Sequence, residues 1–318
     1  MRFFTNLVPL RLELSGSASL GDSYHVRRVR LNLMTLGAEL LAGRNIMIKL
    51  IATDIDGTLV KDSTPEIYPE MLDLIKEWTD RGNYFCVASG RQYYSIAHMF
   101  EQVADRLIYV AENGAHVRYR NQDILLKEMR REYVERIMAQ LREYYADCDV
   151  VVSSPGGSLL ESTNDKLLKF FKEGYRNKYR IVEDVLAEQT DILKIAIYRE
   201  GSIRELGESV LIPQWQDKVK TCMAGEEWVD FMDASVDKGN GLRVVQAHLG
   251  VTAAQTMAFG DNDNDIGLLA QAGESYAVTN ARDSVKACAK HVCPPYYEKG
   301  VYQVVKSYME TGCARHEI

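Results

Sequence analysis

Residues 47–60 read MIKLIATDIDGTLV, and this stretch decides the fold. Within it, residues 48–53 form a short apolar run with β-branched side chains, which is typical of a strand buried on both faces of a parallel sheet. The run ends at Asp54 and Asp56, and Gly57 permits a sharp turn directly after them. We therefore predict a buried parallel strand that carries two carboxylates at its carboxyl end.

The same strand pattern recurs twice in the next part of the chain. A helix predicted from Pro65 to the stop signal at Gly82 leads into a second strand at residues 83–89, and a third strand is predicted at residues 106–113. Strands that alternate with helices at these spacings predict a doubly wound, Rossmann-like α/β fold with a parallel sheet.

Each predicted strand ends in a polar or glycine-rich turn. Because ligands of such sheets bind beyond the carboxyl ends of the strands, we expect Asp54, Ser89 and Asn113 to be neighbours in space. Ser89, Gly90 and Arg91 offer a hydroxyl and free amides near a helix start, which suits phosphate binding. A simple N-cap serine would explain the same residues.

The character of the sequence changes between residues 118 and 233, where amphipathic helices and strands follow one another without glycine-rich strand ends. We predict that this segment is a separate α+β domain inserted into the first. The parallel pattern then returns, so the core domain is predicted to comprise residues 47–117 and 234–318.

Residues 1–46 differ from the rest of the chain. A signal peptide is disfavoured because the apolar stretch near the start is short and is broken by Asn6 and Pro9. The arginines of the segment would suit a transit peptide. We expect instead a poorly ordered extension or an over-long gene start.

Composition excludes several classes of protein. The 318 residues carry a formal net charge of −7, which argues against a general binder of nucleic acid or anionic membranes. No apolar run approaches the roughly 20 residues that span a bilayer. The six cysteines are scattered without a C-x-x-C pair, so we predict reduced thiols and a cytoplasmic protein. The oligomeric state cannot be inferred from these features.

Two carboxylates separated by one residue suit a nucleophile paired with a general acid/base. An aspartate can accept a phosphoryl group as an acyl phosphate, and a second one can protonate the leaving oxygen and then deprotonate water. Asp54 and Asp56 fit these two roles. An Asx-turn at a strand end is the structural alternative.

Residues 260–265, GDNDND, place three aspartates after another short apolar strand. Such acids repel one another unless a cation lies among them, and Mg²⁺ is the usual choice beside phosphate. An acidic helix N-terminus is the alternative. Lys238 lies just before a predicted helix and would supply a fixed positive charge for a phosphoryl group, although solvated lysines are common at such positions.

The motifs DIDGTL, ASGR, ENGA, DKGNGL and GDNDND, in this order, resemble those of the haloacid dehalogenase (HAD) superfamily, and most closely the Cof-type phosphatases with a large inserted α/β cap. The resemblance covers residues 47–308 and leaves residues 1–46 outside. Glu112 departs from it, because many relatives carry a small or neutral residue at this position.

The resemblance implies that Asp54 is the nucleophile and Asp56 the general acid/base, with Lys238 as the third catalytic residue. It implies a phosphate site formed by Ser89, Gly90, Asn113, Lys238 and Asn264. It also implies a Mg²⁺ site formed by the Asp54 carboxylate, the backbone carbonyl of Asp56, Asp261 and Asp265. Asp265 would hold metal-bound water or orient Lys238.

The function predicted from these motifs is Mg²⁺-dependent hydrolysis of small phosphate monoesters, with sugar phosphates as the expected substrates. A phosphosugar mutase and a sugar-phosphate sensor without turnover are the alternatives. The predicted partner is a small phosphorylated metabolite, with no nucleic acid and no membrane. Arg91, Glu112 and Lys194 are our candidates for substrate specificity.

Overall fold

The computed structural model describes residues 47–62 and 64–313. The expectation for residues 1–46 therefore lies outside the described residues. In the described part of the chain, no helix has the length and apolar character needed to cross a membrane.

The described residues form fourteen strands in two sheets. In chain order the strands are β1 (Leu50–Thr53), β2 (Tyr84–Ala88), β3 (Leu107–Ala111), β4 (His116–Tyr119), β5 (Gln122–Leu126), β6 (Asp149–Ser154), β7 (Gly157–Leu160), β8 (Tyr179–Ile181), β9 (Lys194–Tyr198), β10 (Lys220–Met223), β11 (Trp228–Met232), β12 (Thr256–Gly260), β13 (Glu274–Val278) and β14 (His291–Cys293).

The α-helices range from a single turn to fourteen residues. In chain order they are α1 (Pro69–Asp80), α2 (Tyr93–Met99), α3 (Arg131–Tyr144), α4 (Asp165–Lys169), α5 (Arg204–Leu206), α6 (Ile212–Trp215), α7 (Lys238–Leu249), α8 (Ile266–Ala270), α9 (Asp283–Cys288) and α10 (Gly300–Thr311). Short π-helical turns, Phe170–Gly174 and Gly207–Leu211, follow α4 and α5.

The large sheet has eight strands in the order β14-β13-β12-β1-β2-β3-β4-β5. Pairing is parallel from β14 to β3 and antiparallel from β3 to β5. The four residues of β1 are fully buried between β2 and β12, as its apolar, β-branched sequence predicts. The predicted α/β class with a mostly parallel sheet is confirmed.

The helix after β1 begins at Pro69 and not at Pro65, where we predicted it. Pro69 occupies the first helical turn, where its missing N–H costs no hydrogen bond. Met71, Leu72 and Ile75 face the core of the large sheet, as their spacing predicts.

The smaller sheet has six strands in the order β10-β11-β9-β6-β7-β8. One face packs against α3 through a core that includes Val152, Ile195 and Phe231, and the next residues along each strand point to the opposite face. That opposite face carries Lys194 and Asp230.

The first predicted boundary of the inserted domain, at residue 118, is too early. It falls inside β4, and the β4–β5 hairpin adds to the edge of the large sheet as far as Leu126. The smaller sheet comprises residues 149–232, and the predicted end of the inserted domain at residue 233 stays a prediction. A movable cap formed by this segment remains a proposal.

Candidate active site

The turn after β1 presents Asp54 and Asp56 at the carboxyl edge of the large sheet. The backbone N–H of Asp54 donates to the carbonyl of Phe259 at 3.0 Å, which continues the β1–β12 pairing by one residue. Gly57 follows with φ of +80°, and a Cβ atom there would lie 2.3 Å from Oδ2 of Asp261. Only glycine therefore allows the turn and the close approach of Asp261.

Lys238 is the first residue of α7 and extends into the site. The Asp237 side chain caps this helix by accepting hydrogen bonds from the N–H groups of Gly239 and Asn240. Lys238 Nζ donates to Asp54 Oδ1 at 2.6 Å and to Asp265 Oδ1 at 2.7 Å, and the residue is only 1% exposed.

Burial disfavours the charge of the Lys238 ammonium, but the adjacent carboxylates of Asp265 and Asp54 outweigh this effect and raise the pKa of Lys238 above its ordinary value. The ammonium is therefore charged at neutral pH. Its predicted role toward a phosphoryl group stays a prediction.

Three carboxylates converge at this point. Asp54, Asp261 and Asp265 each offer one oxygen, and the three oxygens lie within 4.8 Å of one another. Oδ2 of Asp265 accepts hydrogen bonds at 3.0 Å from the N–H groups of Asp261 and Asn262. The hydroxyl of Thr58 donates to Asp261 Oδ1 at 3.0 Å.

This concentration of negative charge alters the titration of the site. Burial, followed by repulsion from Asp265, raises the pKa of Asp261 to about 6. The same two causes raise the pKa of Asp54, against the opposing effect of Lys238. A hard cation with oxygen ligands would relieve the repulsion, so the residues present fit a Mg²⁺ ion.

The predicted phosphate-binding residues come together from the ends of three strands. The N–H of Asn113 donates to the carbonyl of Ser89 at 2.9 Å, which ties the loop after β3 to the loop after β2. Nδ2 of Asn264 donates to Oδ1 of Asn113 at 2.9 Å, which adds the loop after β12. The Ser89 hydroxyl accepts a hydrogen bond from the N–H of Arg91 at 3.1 Å.

Arg91 makes a two-point ion pair with Asp56. Its Nε donates to Asp56 Oδ2 at 2.7 Å, its Nη2 donates to Oδ1, and Nη2 also donates to the carbonyl of Thr64 at 2.9 Å. The guanidinium carbon lies 4.4 Å from the ring centre of Tyr175, which belongs to the inserted segment. The sequence contained no signal for the contacts of Arg91 with Asp56 and Tyr175.

The other two specificity candidates lie where the two sheets meet. Lys194 Nζ is 2.6 Å from Glu112 Oε2 and 3.3 Å from Asp230 Oδ2. Sequence reasoning missed Asp230, although an acid inside the apolar strand β11 was a signal that could have revealed it. The roles of all three specificity candidates remain predictions.

A family model of haloacid dehalogenase-like hydrolases matches residues 51–305. The match covers well over half of the chain, and the chain belongs to this family. The resemblance inferred from the motifs is confirmed, and the protein is a hydrolase of the HAD superfamily.

Individual relatives agree with this assignment. The 5-amino-6-(5-phospho-D-ribitylamino)uracil phosphatase YbjI of Escherichia coli is 26% identical over 263 residues, which is 83% of this chain and 97% of that protein. YitU of Bacillus subtilis, which is also named a 5-amino-6-(5-phospho-D-ribitylamino)uracil phosphatase, is 26% identical over 266 residues. The match covers 81% of this chain and 97% of that protein. A crystal structure from Eubacterium rectale is 36% identical, with a TM-score of 0.75, and covers 82% of this chain and 99% of that one.

Proposed function

We propose that this protein is a Mg²⁺-dependent phosphatase that hydrolyses small phosphate monoesters through an aspartyl-phosphate on Asp54. One observation carries the proposal. The buried Lys238 ammonium bridges Asp54 and Asp265, with Asp261 beside them. A fixed cation and converging carboxylates at a strand end suit the binding and attack of a phosphoryl group.

The chemistry would proceed in two displacements. The Asp54 carboxylate attacks phosphorus, the bond to the leaving oxygen breaks, and Asp56, which must be in its protonated form for this step, donates its proton to that oxygen. Asp56 then removes a proton from the water that attacks the acyl phosphate, which releases inorganic phosphate and frees Asp54. Lys238 and the hydroxyl of Ser89 hold the non-bridging oxygens throughout.

A bound Mg²⁺ ion would neutralise the charge that accumulates between the phosphoryl group and the acids. The groups that would hold it are the Asp54 carboxylate, the Asp56 carbonyl, Asp261 and Asp265. Asn113 and Asn264 complete the phosphate site through their shared hydrogen bond.

Two relatives named above support phosphorylated sugars or sugar alcohols as substrates, since both are named for a phosphorylated ribityl compound. We propose a small sugar phosphate as the partner and the cytoplasm as the location. Comparison of kcat/KM across sugar phosphates, nucleotides and pyridoxal phosphate would rank the candidates.

The decisive test is hydrolysis of p-nitrophenyl phosphate by the purified full-length chain, with Mg²⁺ and with a chelator. We expect metal-dependent release of nitrophenol that Asp54→Asn abolishes and Asp56→Asn slows by about 10²–10⁴-fold. Asp263→Asn is the matched control, because Asp263 lies in the same acidic run but is exposed and paired with Arg282. Activity that survives both chelation and Asp54→Asn would refute the proposal.

Product analysis separates hydrolysis from the two alternatives. A phosphatase releases one inorganic phosphate for each substrate consumed. A mutase would instead return the phosphoryl group to a different hydroxyl of the sugar, and a sensor would bind substrate without consuming it.

A further inference from the structure

A buried lysine connects the smaller sheet to both loops of the proposed phosphate site. Lys194 is the first residue of β9 and is 9% exposed. Its Nζ donates to the carbonyl of Gly90 at 3.1 Å and lies 2.6 Å from Glu112 Oε2. Gly90 directly follows Ser89, and Glu112 directly precedes Asn113, so Lys194 contacts the neighbours of two phosphate-binding residues.

The loop after β3 needs such support because of its backbone. Glu112 and Asn113 are consecutive non-glycine residues with φ of 49° and 55°. Residues other than glycine rarely adopt this left-handed backbone conformation unless the surrounding structure holds it. The N–H groups of Glu112 and Asn113 donate to the carbonyls of Arg91 and Ser89 at 3.0 and 2.9 Å, so a movement of one loop displaces the other.

The Lys194 ammonium lies among acceptors of the protein itself. An ammonium has three N–H donors, and Lys194 has three acceptors around it: the Gly90 carbonyl, Glu112 and Asp230. These contacts with the protein suit a structural role for Lys194, and the substrate contact that we expected from the sequence stays a prediction.

A second contact joins the same two regions. Nδ2 of Asn113 lies 3.7 Å from Sδ of Met232, and Met232 pairs with Lys194 across β11 and β9. Lys194, Met232 and Asp230 thus form one patch of the smaller sheet that faces the loops after β2 and β3.

We propose that Lys194 is a positioning residue, which holds Ser89 and Asn113 in their phosphate-binding arrangement when the smaller sheet is docked on the loops. The inference deepens the proposed phosphatase function and rests on it. Docking of the inserted segment then shapes the phosphate site through a protein–protein contact, independently of which leaving group the substrate carries.

The test uses Lys194→Met in the full-length protein. We expect kcat/KM for p-nitrophenyl phosphate to fall by up to about 100-fold, because small displacements of positioning groups have effects of this size. The inhibition constant of inorganic phosphate should rise in the same variant, because its phosphate site binds phosphate more weakly. In hydrogen exchange, the amides of Glu112 and Asn113 should exchange faster than in the wild type, whereas β1 should be unchanged. Lys166→Met is the control, since Lys166 is an exposed lysine of the inserted segment paired with Glu200.

A double variant distinguishes positioning of the loops from neutralisation of Asp230. If Lys194 serves only to neutralise Asp230, then Lys194→Met/Asp230→Asn should restore wild-type phosphate inhibition and loop exchange, and the proposal is overturned. If Lys194 holds the loops, the double variant should stay impaired although its buried charge is reduced. If Lys194→Met alone fails to fold, the same measurements are made on the double variant.

The two proposals can fail separately. A wild-type protein without metal-dependent phosphatase activity refutes the proposed function, while the exchange of the Glu112 and Asn113 amides still tests Lys194. Unchanged exchange of these amides in both Lys194 variants refutes the positioning role even if the wild type is an active phosphatase.

Discussion

Replacing Asp261 by asparagine should stabilise the protein in the absence of metal and remove its response to Mg²⁺. Asparagine has nearly the same shape, and its Oδ1 can still accept the hydrogen bond that the Thr58 hydroxyl donates to Asp261. The substitution removes one of three converging carboxylates without creating a cavity. It therefore isolates the electrostatic cost of this arrangement.

The magnitude follows from the titration of Asp261. Raising its pKa from 3.8 to about 6 costs about 3 kcal/mol, because each pKa unit corresponds to about 1.4 kcal/mol. The folded state binds the proton more tightly than the unfolded state, so the cost is absent below pH 3.8, grows between pH 3.8 and 6, and is complete above pH 6. Asp261→Asn should thus raise the free energy of unfolding at pH 7.5 by about 2–3 kcal/mol.

The assay is urea unfolding with a chelator at pH 7.5 and again at pH 5, where the gain should be smaller. Excess Mg²⁺ should then stabilise the wild type, by about 2.7 kcal/mol at a hundredfold excess over Kd, and should leave Asp261→Asn unchanged. Asp263→Asn, in the same run of acids, should behave as the wild type. If Asp261→Asn is no more stable than the wild type with chelator at pH 7.5, burial and repulsion do not destabilise the charged form of Asp261.

Two further predictions address the turn after β1 and the residue that holds Asp56. Gly57→Ala and Gly82→Ala both place alanine at φ of +80°, where we expect a destabilisation of about 1–3 kcal/mol, but only at Gly57 would the new Cβ meet Asp261. Urea unfolding should show destabilisation of both variants, whereas Mg²⁺-dependent activity should be lost only in Gly57→Ala. An active Gly57→Ala variant would contradict the close approach of Asp261. Arg91→Met should slow hydrolysis of alkyl phosphates more than that of 2,4-dinitrophenyl phosphate, because only the poorer leaving group needs a correctly oriented Asp56 to protonate it. Equal losses with both substrates would mean that Arg91 does not act through Asp56.

Much of the site could be predicted from the sequence because its signals are local. The buried strand β1, the two aspartates that follow it and the acidic run after β12 are each contained in a few consecutive residues. The rule that ligands bind at the carboxyl ends of parallel strands then brings Ser89 and Asn113 near Asp54 without knowledge of any contact. The structure places all of these groups at one edge of the large sheet.

Local signals also misled in two places. Pro65 and Pro69 are equally able to begin a helix by sequence, and the helix begins at Pro69 in the structure. The change in character near residue 118 suggested a new domain, whereas β4 and β5 continue the large sheet by antiparallel pairing. The residues next to Pro69 and next to residue 118 therefore do not by themselves determine where the helix begins or to which sheet β4 and β5 belong.

The sequence by itself determined the class of fold, the family and the residue types that carry the proposed chemistry, because hydrophobic periodicity and short motifs are properties of neighbouring residues. Only the tertiary structure decided which charges meet: Arg91 with Asp56, and Lys194 with Glu112 and Asp230. A long side chain can reach any acid within several ångströms, and the folding of the whole chain determines which acid that is. The partners of Lys194 lie 82 residues before it and 36 residues after it, at positions that no local pattern connects.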